Sequence, residues 1–396
     1  MDEILFARVA ANSKKLIADA SQYKNRRYLY RKVKSAPDEY FVGVCGLRGV
    51  GKTVLLQQLA SEAKNPIYFS ADASYLGNED LYEIARFLSS RGYRNLFVDE
   101  IHAKKNWTAC LKTIYDEGLA RVVFSGSSAL DIGEGADLSR RALIYRLNPL
   151  SFREYLAIKK GFAALGAVAP SELFDQEKRK AVALRTAQFN DYLGEYFRMG
   201  GVFYESGSEE HFREALKNSV NKIIHTDLGY LRNLNADMEN EIHRLLEWIA
   251  ISPPGETSYS GLSGKLSLSK PTLIRVIDDL AKIGLVLRLR PCGKNLVRKD
   301  PKLYLAFPFR EYFAASVLRQ PDRGALREEF FVNHVPQTCY LKGRRGEKTP
   351  DFMLGGKRVE VGGEGKNLHQ DPDFVFKEGI AFDGKSIPLY LAGFLY

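Results

Sequence analysis

Residues 46–53, Gly-Leu-Arg-Gly-Val-Gly-Lys-Thr, follow the pattern G-x-x-x-x-G-K-[S/T]. Glycines let a backbone wrap round phosphate oxygens with successive N–H groups turned inward. A helix opening at Lys52 and running on through Val54 adds the positive end of its dipole. In such a loop Lys52 reaches the β- and γ-phosphates, and Thr53 offers a hydroxyl to Mg²⁺. The set Gly46, Leu47, Arg48, Gly49, Val50, Gly51, Lys52, Thr53 and Val54 is therefore expected to bind ATP together with its magnesium.

A second group completes that chemistry. Leu96-Phe97-Val98 is an apolar run that ends on two carboxylates, Asp99 and Glu100. Open α/β sheets bind ligands at the carboxyl ends of their strands, where this pair would stand. Asp99 would hold Mg²⁺, and Glu100 would orient and polarise the water that attacks the γ-phosphorus. A base at that place favours hydrolysis over a kinase or a G-protein-like switch. Ser125-Gly126-Ser127-Ser128 follows a later apolar run. Ser127 there is a candidate for touching the γ-phosphate or the attacking water, although an ordinary Ser/Gly turn fits the same letters. Arg140 and Arg141 precede a further strand pattern, from which an arginine could stabilise transition-state charge on ATP in a neighbouring subunit.

These groups need a parallel sheet behind them, and the first 150 residues alternate short apolar runs with helical patterns as βαβ units do. Strands are expected at 40–45, 66–69, 95–98, 121–125 and 142–147. Helices are expected at 4–21, at 78–89 with Asn78 as the cap, and at 107–116. A basic patch (Lys24, Arg26, Arg27, Arg31, Lys32) lies between the first helix and the first strand. From 149 to about 241 strand signals vanish, and helices are expected at 151–158, 177–197, 211–221 and 239–250. Residues 239–293 hold three helical patterns and then a β-rich run at 285–289, with Ser269 able to cap a helix starting at Pro271. Beyond 300 a helix at 326–333 and strands at 352–354, 358–361 and 388–394 suggest a small α/β domain.

The bulk numbers set limits. A chain of 396 residues suggests two or three domains. With 45% hydrophobic and 27% charged residues the balance is that of a globular protein. No apolar run approaches the roughly 20 residues of a membrane span. The N-terminus opens with Asp2 and Glu3 rather than a basic-then-apolar leader, so the cytoplasm is the expected location. Cys45, Cys110, Cys292 and Cys339 lie far apart with no paired spacing, so they are expected as buried thiols in a reducing compartment. With 58 basic and 48 acidic residues the net charge is +10, which permits a polyanionic partner.

In this order the pieces resemble the prokaryotic AAA+ ATPases that carry a C-terminal domain of unknown function. The residues that carry the resemblance are 46–53, 98–102, 124–128, 138–141, the string Asn148-Pro149-Leu150-Ser151-Phe152-Arg153-Glu154, and Gly200-Gly201 after an aromatic-rich helix. The resemblance implies a P-loop AAA+ core of the α/β class at 1–150 and a helical lid at 151–238. It further implies a winged helix-turn-helix at 239–299 and a restriction-endonuclease-like α/β domain at 300–396. Arg141 stands at the family's arginine-finger position. Arg140 replaces the usual glycine before it, so the choice between the two stays open. An arginine acting across subunits implies a homo-oligomer.

The winged-helix expectation rests on residues 271–280, with Leu273, Ile277 and Leu280 on one face. Lys265, Lys270, Arg275, Arg288, Arg290 and Lys294 are placed to meet DNA phosphates, and packing between domains is the competing role. In the terminal domain, Pro350-Asp351 and then Glu360-Val361-Gly362 outline a PD-(D/E)-x-K core, in which Asp351 and Glu360 would hold a second Mg²⁺. Glu328 resembles that fold's supporting acid. Gly362 stands where the lysine belongs, and Lys366 lies further along. Three functions follow: an ATP-driven machine acting on DNA, an ATP-gated switch with a protein partner, and a nuclease effector.

Overall fold

The computed structural model describes residues 1–126, 138–163, 165–204, 208–229, 234–255, 258–293, 300–335, 337–342, 349–366, 371–382 and 384–396. The chain forms two compact units, Met1–Asn148 and Pro149–Tyr396. Among the described residues, no helix is long and apolar enough to cross a membrane.

The first unit opens with α1 (Glu3–Asp19), whose Asp2 cap accepts from Leu5 N at 2.8 Å, and continues through the short α2 (Leu29–Lys34). Next come β1 (Phe41–Cys45), α3 (Lys52–Ser61), β2 (Pro66–Ser70), α4 (Leu81–Ser90), β3 (Asn95–Asp99), α5 (Trp107–Asp116), β4 (Arg121–Gly126) and β5 (Ala142–Arg146). The five strands pair in parallel in the order β2-β3-β4-β1-β5. β1 lies buried along its whole length, as its apolar run predicts for a strand covered on both faces. Ile67, Phe69, Leu96, Val98, Val122 and Phe124 of the strands form one core with Ile84, Leu88, Leu111 and Ile114 of α4 and α5. The cap of α4 differs from expectation. Asp80, not Asn78, accepts from Tyr82 N (2.8 Å) and Glu83 N (3.4 Å), because a carboxylate beside the dipole's positive end outcompetes an amide two residues outside it.

The second unit begins with α6 (Phe152–Lys159), α7 (Pro170–Phe174), α8 (Gln176–Thr186), α9 (Leu193–Met199) and α10 (Glu209–Lys222). The single helix expected over 177–197 is broken at Ala187–Tyr192 by a 3-10 turn. There Thr186 Oγ1 turns back onto Val182 O, and polar Asn190 and Asp191 offer the backbone local alternatives to a helix. Three helices and a hairpin follow: α11 (Ala236–Ile251), α12 (Tyr259–Lys265), α13 (Lys270–Ile283), β6 (Val286–Leu289) and β7 (Lys302–Leu305). Ser269 caps α13 by accepting from Thr272 N at 3.3 Å, and Leu273, Ile277 and Leu280 are all buried. After α14 (Phe309–Ser316) and α15 (Arg323–His334) come β8 (Cys339–Tyr340), β9 (Phe352–Leu354), β10 (Lys357–Gly362), β11 (Phe374–Lys377) and β12 (Ser386–Pro388). These form a mixed sheet in the order β12-β11-β10-β9-β8.

Residues 388–394 do not form the strand that was expected. β12 ends at Pro388, and Leu389–Phe394 is a 3-10 turn buried on every side. A short continuous apolar run reads alike in either state. Its Gly393 packs so closely that an added Cβ would fall 2.5 Å from Phe152 Cβ. Phe152, Tyr155, Tyr196 and Phe197 of the early helices share one core with Phe330, Phe352, Phe376, Leu389 and Phe394. Truncating Phe152 would cost about 3–5 kcal/mol by the cavity it leaves in that core.

The cysteines also depart from expectation. Cys292 and Cys339 form a disulfide, whereas Cys45 and Cys110 remain buried thiols. The partners are 47 residues apart in sequence. They meet because residues 290–292 run beside β8, with Tyr340 N donating to Arg290 O and Cys292 N to Tyr340 O. Spacing alone does not reveal a pairing made by tertiary structure.

Candidate active site

The loop between β1 and α3 carries the 46–53 motif at the carboxyl edge of the first sheet. Gly51 has φ 93°, a left-handed conformation open to glycine. At Gly46 a Cβ would fall 2.3 Å from Leu147 O, so the chain leaving β5 lies directly against the start of the loop. Lys52 is buried and donates from Nζ to Gly46 O at 2.9 Å and Leu47 O at 3.1 Å. Arg27, from the basic patch, is buried behind the loop and donates to Val50 O and, at 2.9 Å, to Asn148 O. That patch is therefore not wholly a solvated surface, since one of its cations braces the loop.

Thr53 and Asp99 are brought together, with Thr53 Oγ1 donating to Asp99 Oδ2 at 2.6 Å. Two further hydroxyls reach the same carboxylate. Tyr68 OH, from β2, donates to Oδ2 at 2.9 Å, and Ser125 Oγ, from β4, donates to Oδ1. The backbone N–H of Glu100 also meets Oδ1 at 3.2 Å. Burial, and then the Asp99 charge, push the Tyr68 phenol well above its ordinary value, so it stays a donor. Sequence reasoning missed Tyr68. Its only signal is its place in a strand next to the one that ends on Asp99.

Glu100 adopts φ 48°, ψ 43°, a left-handed conformation unusual for a residue with a side chain. His102 Nε2 lies 3.4 Å from Glu100 Oε2. Ser127 lies outside the described residues, as does Lys294. Arg141 makes a bidentate pair with Asp116, Nε to Oδ1 at 2.8 Å and Nη2 to Oδ2 at 3.0 Å, at the amino end of β5 and away from the loop of its own chain. Arg140 beside it is exposed.

In the second unit, Asp351 immediately precedes β9 and Glu360 lies on β10. Asp351 Oδ2 accepts from Val361 N at 2.9 Å. Burial, with the Glu328 and Glu360 charges behind it, pushes the Asp351 carboxyl up to about 7. Glu328 of α15 accepts from Tyr304 OH at 2.7 Å and Lys302 Nζ at 3.3 Å. Lys366 Nζ lies 2.7 Å from Glu360 Oε1, and its chain covers Gly362 so closely that a Cβ there would meet Lys366 Cγ at 2.6 Å. The displaced lysine thus fills the space of the position where it was expected. Of the basic residues on 265–290, Lys265, Lys270, Arg275, Arg288 and Arg290 are exposed, and Arg288 is paired with Asp278.

Among the described residues no group of three or more His, Cys, Asp or Glu side chains is arranged to hold a metal ion. Mg²⁺ is commonly held by one or two protein oxygens together with substrate phosphates. The Thr53 hydroxyl and Asp99 carboxylate are hard oxygen donors of that kind, and they already meet.

The parallel sheet and its phosphate loop give the first unit a P-loop nucleotide-binding fold. Residues 38–156 match the AAA domain family. Residues 193–306 match a domain of unknown function, DUF8612. MJ1637, an uncharacterized protein of Methanocaldococcus jannaschii, is 28% identical over 375 residues, covering 86% of this chain and 79% of its own. A second uncharacterized protein of that organism, MJ1544, is 28% identical over 211 residues, covering 50% of this chain and 43% of its own, so the match spans less than half of that relative. AMPPCP-bound DnaA from Aquifex aeolicus is similar over 64% of this chain and 86% of its own, at 14% identity and a TM-score of 0.26, a likeness too low to argue from.

Proposed function

We propose that this chain hydrolyses ATP with Mg²⁺ and couples the hydrolysis to a conformational change that acts on DNA. The observation that carries the reading is the 2.6 Å contact between Thr53 Oγ1 and Asp99 Oδ2, with Glu100 next in the chain. Bound Mg²⁺ would draw charge from the phosphates as a Lewis acid. Thr53 and Asp99 would hold it. Lys52 would exchange its two loop carbonyls for the β- and γ-oxygens. Glu100, with His102 beside it, would orient water and accept its proton. Arg140 or Arg141 would serve the site of a second copy. Asp116 holds Arg141 within its own chain, which favours the exposed Arg140 for that part.

The DNA part rests on the three helices and hairpin at 236–305, read as a winged helix with Lys265, Lys270, Arg275 and Arg290 toward phosphates. The partition into core 1–150, lid 151–238, winged helix 239–299 and nuclease-like 300–396 belongs to the same reading. ATPase turnover of wild type, Lys52→Ala and Glu100→Gln, each with and without DNA, tests it. Loss of turnover in both variants and stimulation by DNA are expected. Equal low rates in all three would sink the hydrolase, and a rate indifferent to DNA but raised by a protein captured with ATP would favour the regulatory switch.

A second reading has one observation behind it. Lys366 lies over Gly362 and beside Glu360, so the terminal cluster regains a lysine where the motif lacks one. Cleavage of plasmid with Mg²⁺ or Mn²⁺, lost in Asp351→Ala and Lys366→Ala, would support a nuclease. Intact plasmid with both metals would exclude it.

A further inference from the structure

Asp99 is surrounded by donors of two kinds. A carboxylate offers about four lone-pair sites, and four donors address this one. Oδ2 takes Thr53 Oγ1 and Tyr68 OH, while Oδ1 takes Ser125 Oγ and Glu100 N. Thr53 is exposed in the first turn of α3, and its hydroxyl is the magnesium donor of the reading above. Tyr68 and Ser125 sit on β2 and β4, either side of β3, at 3% and 0% exposure. Both are buried among the strands, and Gln57 of α3 also hydrogen-bonds the Tyr68 phenol. An ion arriving with nucleotide can take the Thr53 place on Oδ2 while the strand-borne donors stay.

We propose that Tyr68 and Ser125 are positioning residues for magnesium, anchoring the two oxygens of Asp99 from neighbouring strands so that one lone pair of Oδ2 faces Thr53. The proposal rests on the nucleotide reading above and adds two residues that the phosphate-loop motif does not contain. Donors behind a metal ligand fix its orientation, and removing one typically weakens metal binding about 10–100-fold. Without the phenol, the Asp99 carboxylate can turn about its side-chain torsions, and the ion must then pay for restoring it.

Calorimetric titration of a non-hydrolysable ATP analogue at stepped MgCl₂ concentrations reads this without turnover. Tyr68→Phe should raise the half-saturating Mg²⁺ about tenfold. Affinity for the analogue in EDTA should stay within about twofold of wild type, because Asp99 meets the ion and not the phosphates. Ser125→Ala should shift the Mg²⁺ requirement in the same direction, and Ser125→Thr, which keeps the hydroxyl, should restore it. The serine pair carries the test if Tyr68→Phe loses native circular dichroism. An unchanged Mg²⁺ requirement in Tyr68→Phe and Ser125→Ala overturns the proposal. So does an equal loss of affinity in EDTA, which would mean a merely structural role. Failure of wild type to bind the analogue with or without Mg²⁺ overturns the nucleotide reading, and this proposal with it.

Discussion

Asp99, buried at the end of β3, and Asp351, half-buried just before β9, are carboxylates at strand ends whose surroundings are opposites. Asp99 is met by three hydroxyls and a backbone N–H, all neutral donors. Asp351 has one backbone donor, from Val361, and faces the carboxylates of Glu328 and Glu360, which with burial push it up to about 7. Neutral donors keep a buried carboxylate available for a cation that comes and goes with its nucleotide. A cluster of like charges instead demands standing cations. Lys302 and Lys366 supply them, at 3.3 Å from Glu328 and 2.7 Å from Glu360. Lys366 is raised by Glu360 and its neighbours against the opposing effect of burial.

The widest test of that contrast is whether the two regions fail separately. Glu100→Gln should lower ATP turnover by about 10²–10⁴-fold with nucleotide binding retained, whereas Asp351→Asn should leave turnover within about twofold, as expected for independent sites. A matched loss in Asp351→Asn, measured by phosphate release, would mean that the regions work as one.

Reducing Cys292–Cys339 should destabilise the second unit by about 2–4 kcal/mol, since the bridge closes a long loop. Urea unfolding with and without dithiothreitol would show this, with Cys292→Ser insensitive to the reagent. Nucleotide binding by the first unit should not change.

An effect of similar size follows from His334. Its Nε2 accepts from Phe152 N at 2.8 Å and its Nδ1 donates to Phe330 O at 2.7 Å, which requires the neutral ring, and burial pushes it down to about 4. The unfolded chain takes up this proton near 6.5 and the folded chain does not. Stability should therefore be full above about 6.5 and fall toward pH 4, by on the order of 3 kcal/mol. His334→Gln should flatten that portion of the urea-midpoint profile, and identical profiles would refute the assignment.

Asp351 gives the opposite pH dependence. Its folded value lies above the unfolded one, so its ionisation costs stability progressively as pH rises from about 4 to about 7. Asp351→Asn should raise the melting temperature by several degrees at pH 8, by less at pH 5, and leave it unchanged below about pH 4. If Mg²⁺ at pH 8 erases that gain by stabilising wild type alone, the cluster holds metal after all.

The sequence made the nucleotide region legible because its parts are contiguous. The loop is eight letters, Asp99-Glu100 ends one apolar run, and all five strands of that sheet were marked by short apolar stretches. Tyr68 was illegible because nothing in a strand's own pattern says which neighbour its phenol will meet. In the second unit the decisive contacts join distant segments. Phe152 meets His334 and Phe394, Cys292 meets Cys339, and Leu389–Phe394 is buried by packing rather than by strand pairing. Local periodicity carries no record of such partners. The same holds for Lys366, which stands four residues from its motif position and returns to it only in three dimensions.

The shared core of the second unit has a consequence for how that unit comes apart. Its earliest helix and its last turn interleave, with Arg153 donating to Leu165 O at 2.8 Å and to Tyr396 O at 2.5 Å. A protease that nicks the exposed turn at 253–255 would cut the chain without freeing a fragment, because each piece keeps part of the other's interior. Such a nicked protein would run as one particle on a sizing column and as separate bands only in detergent.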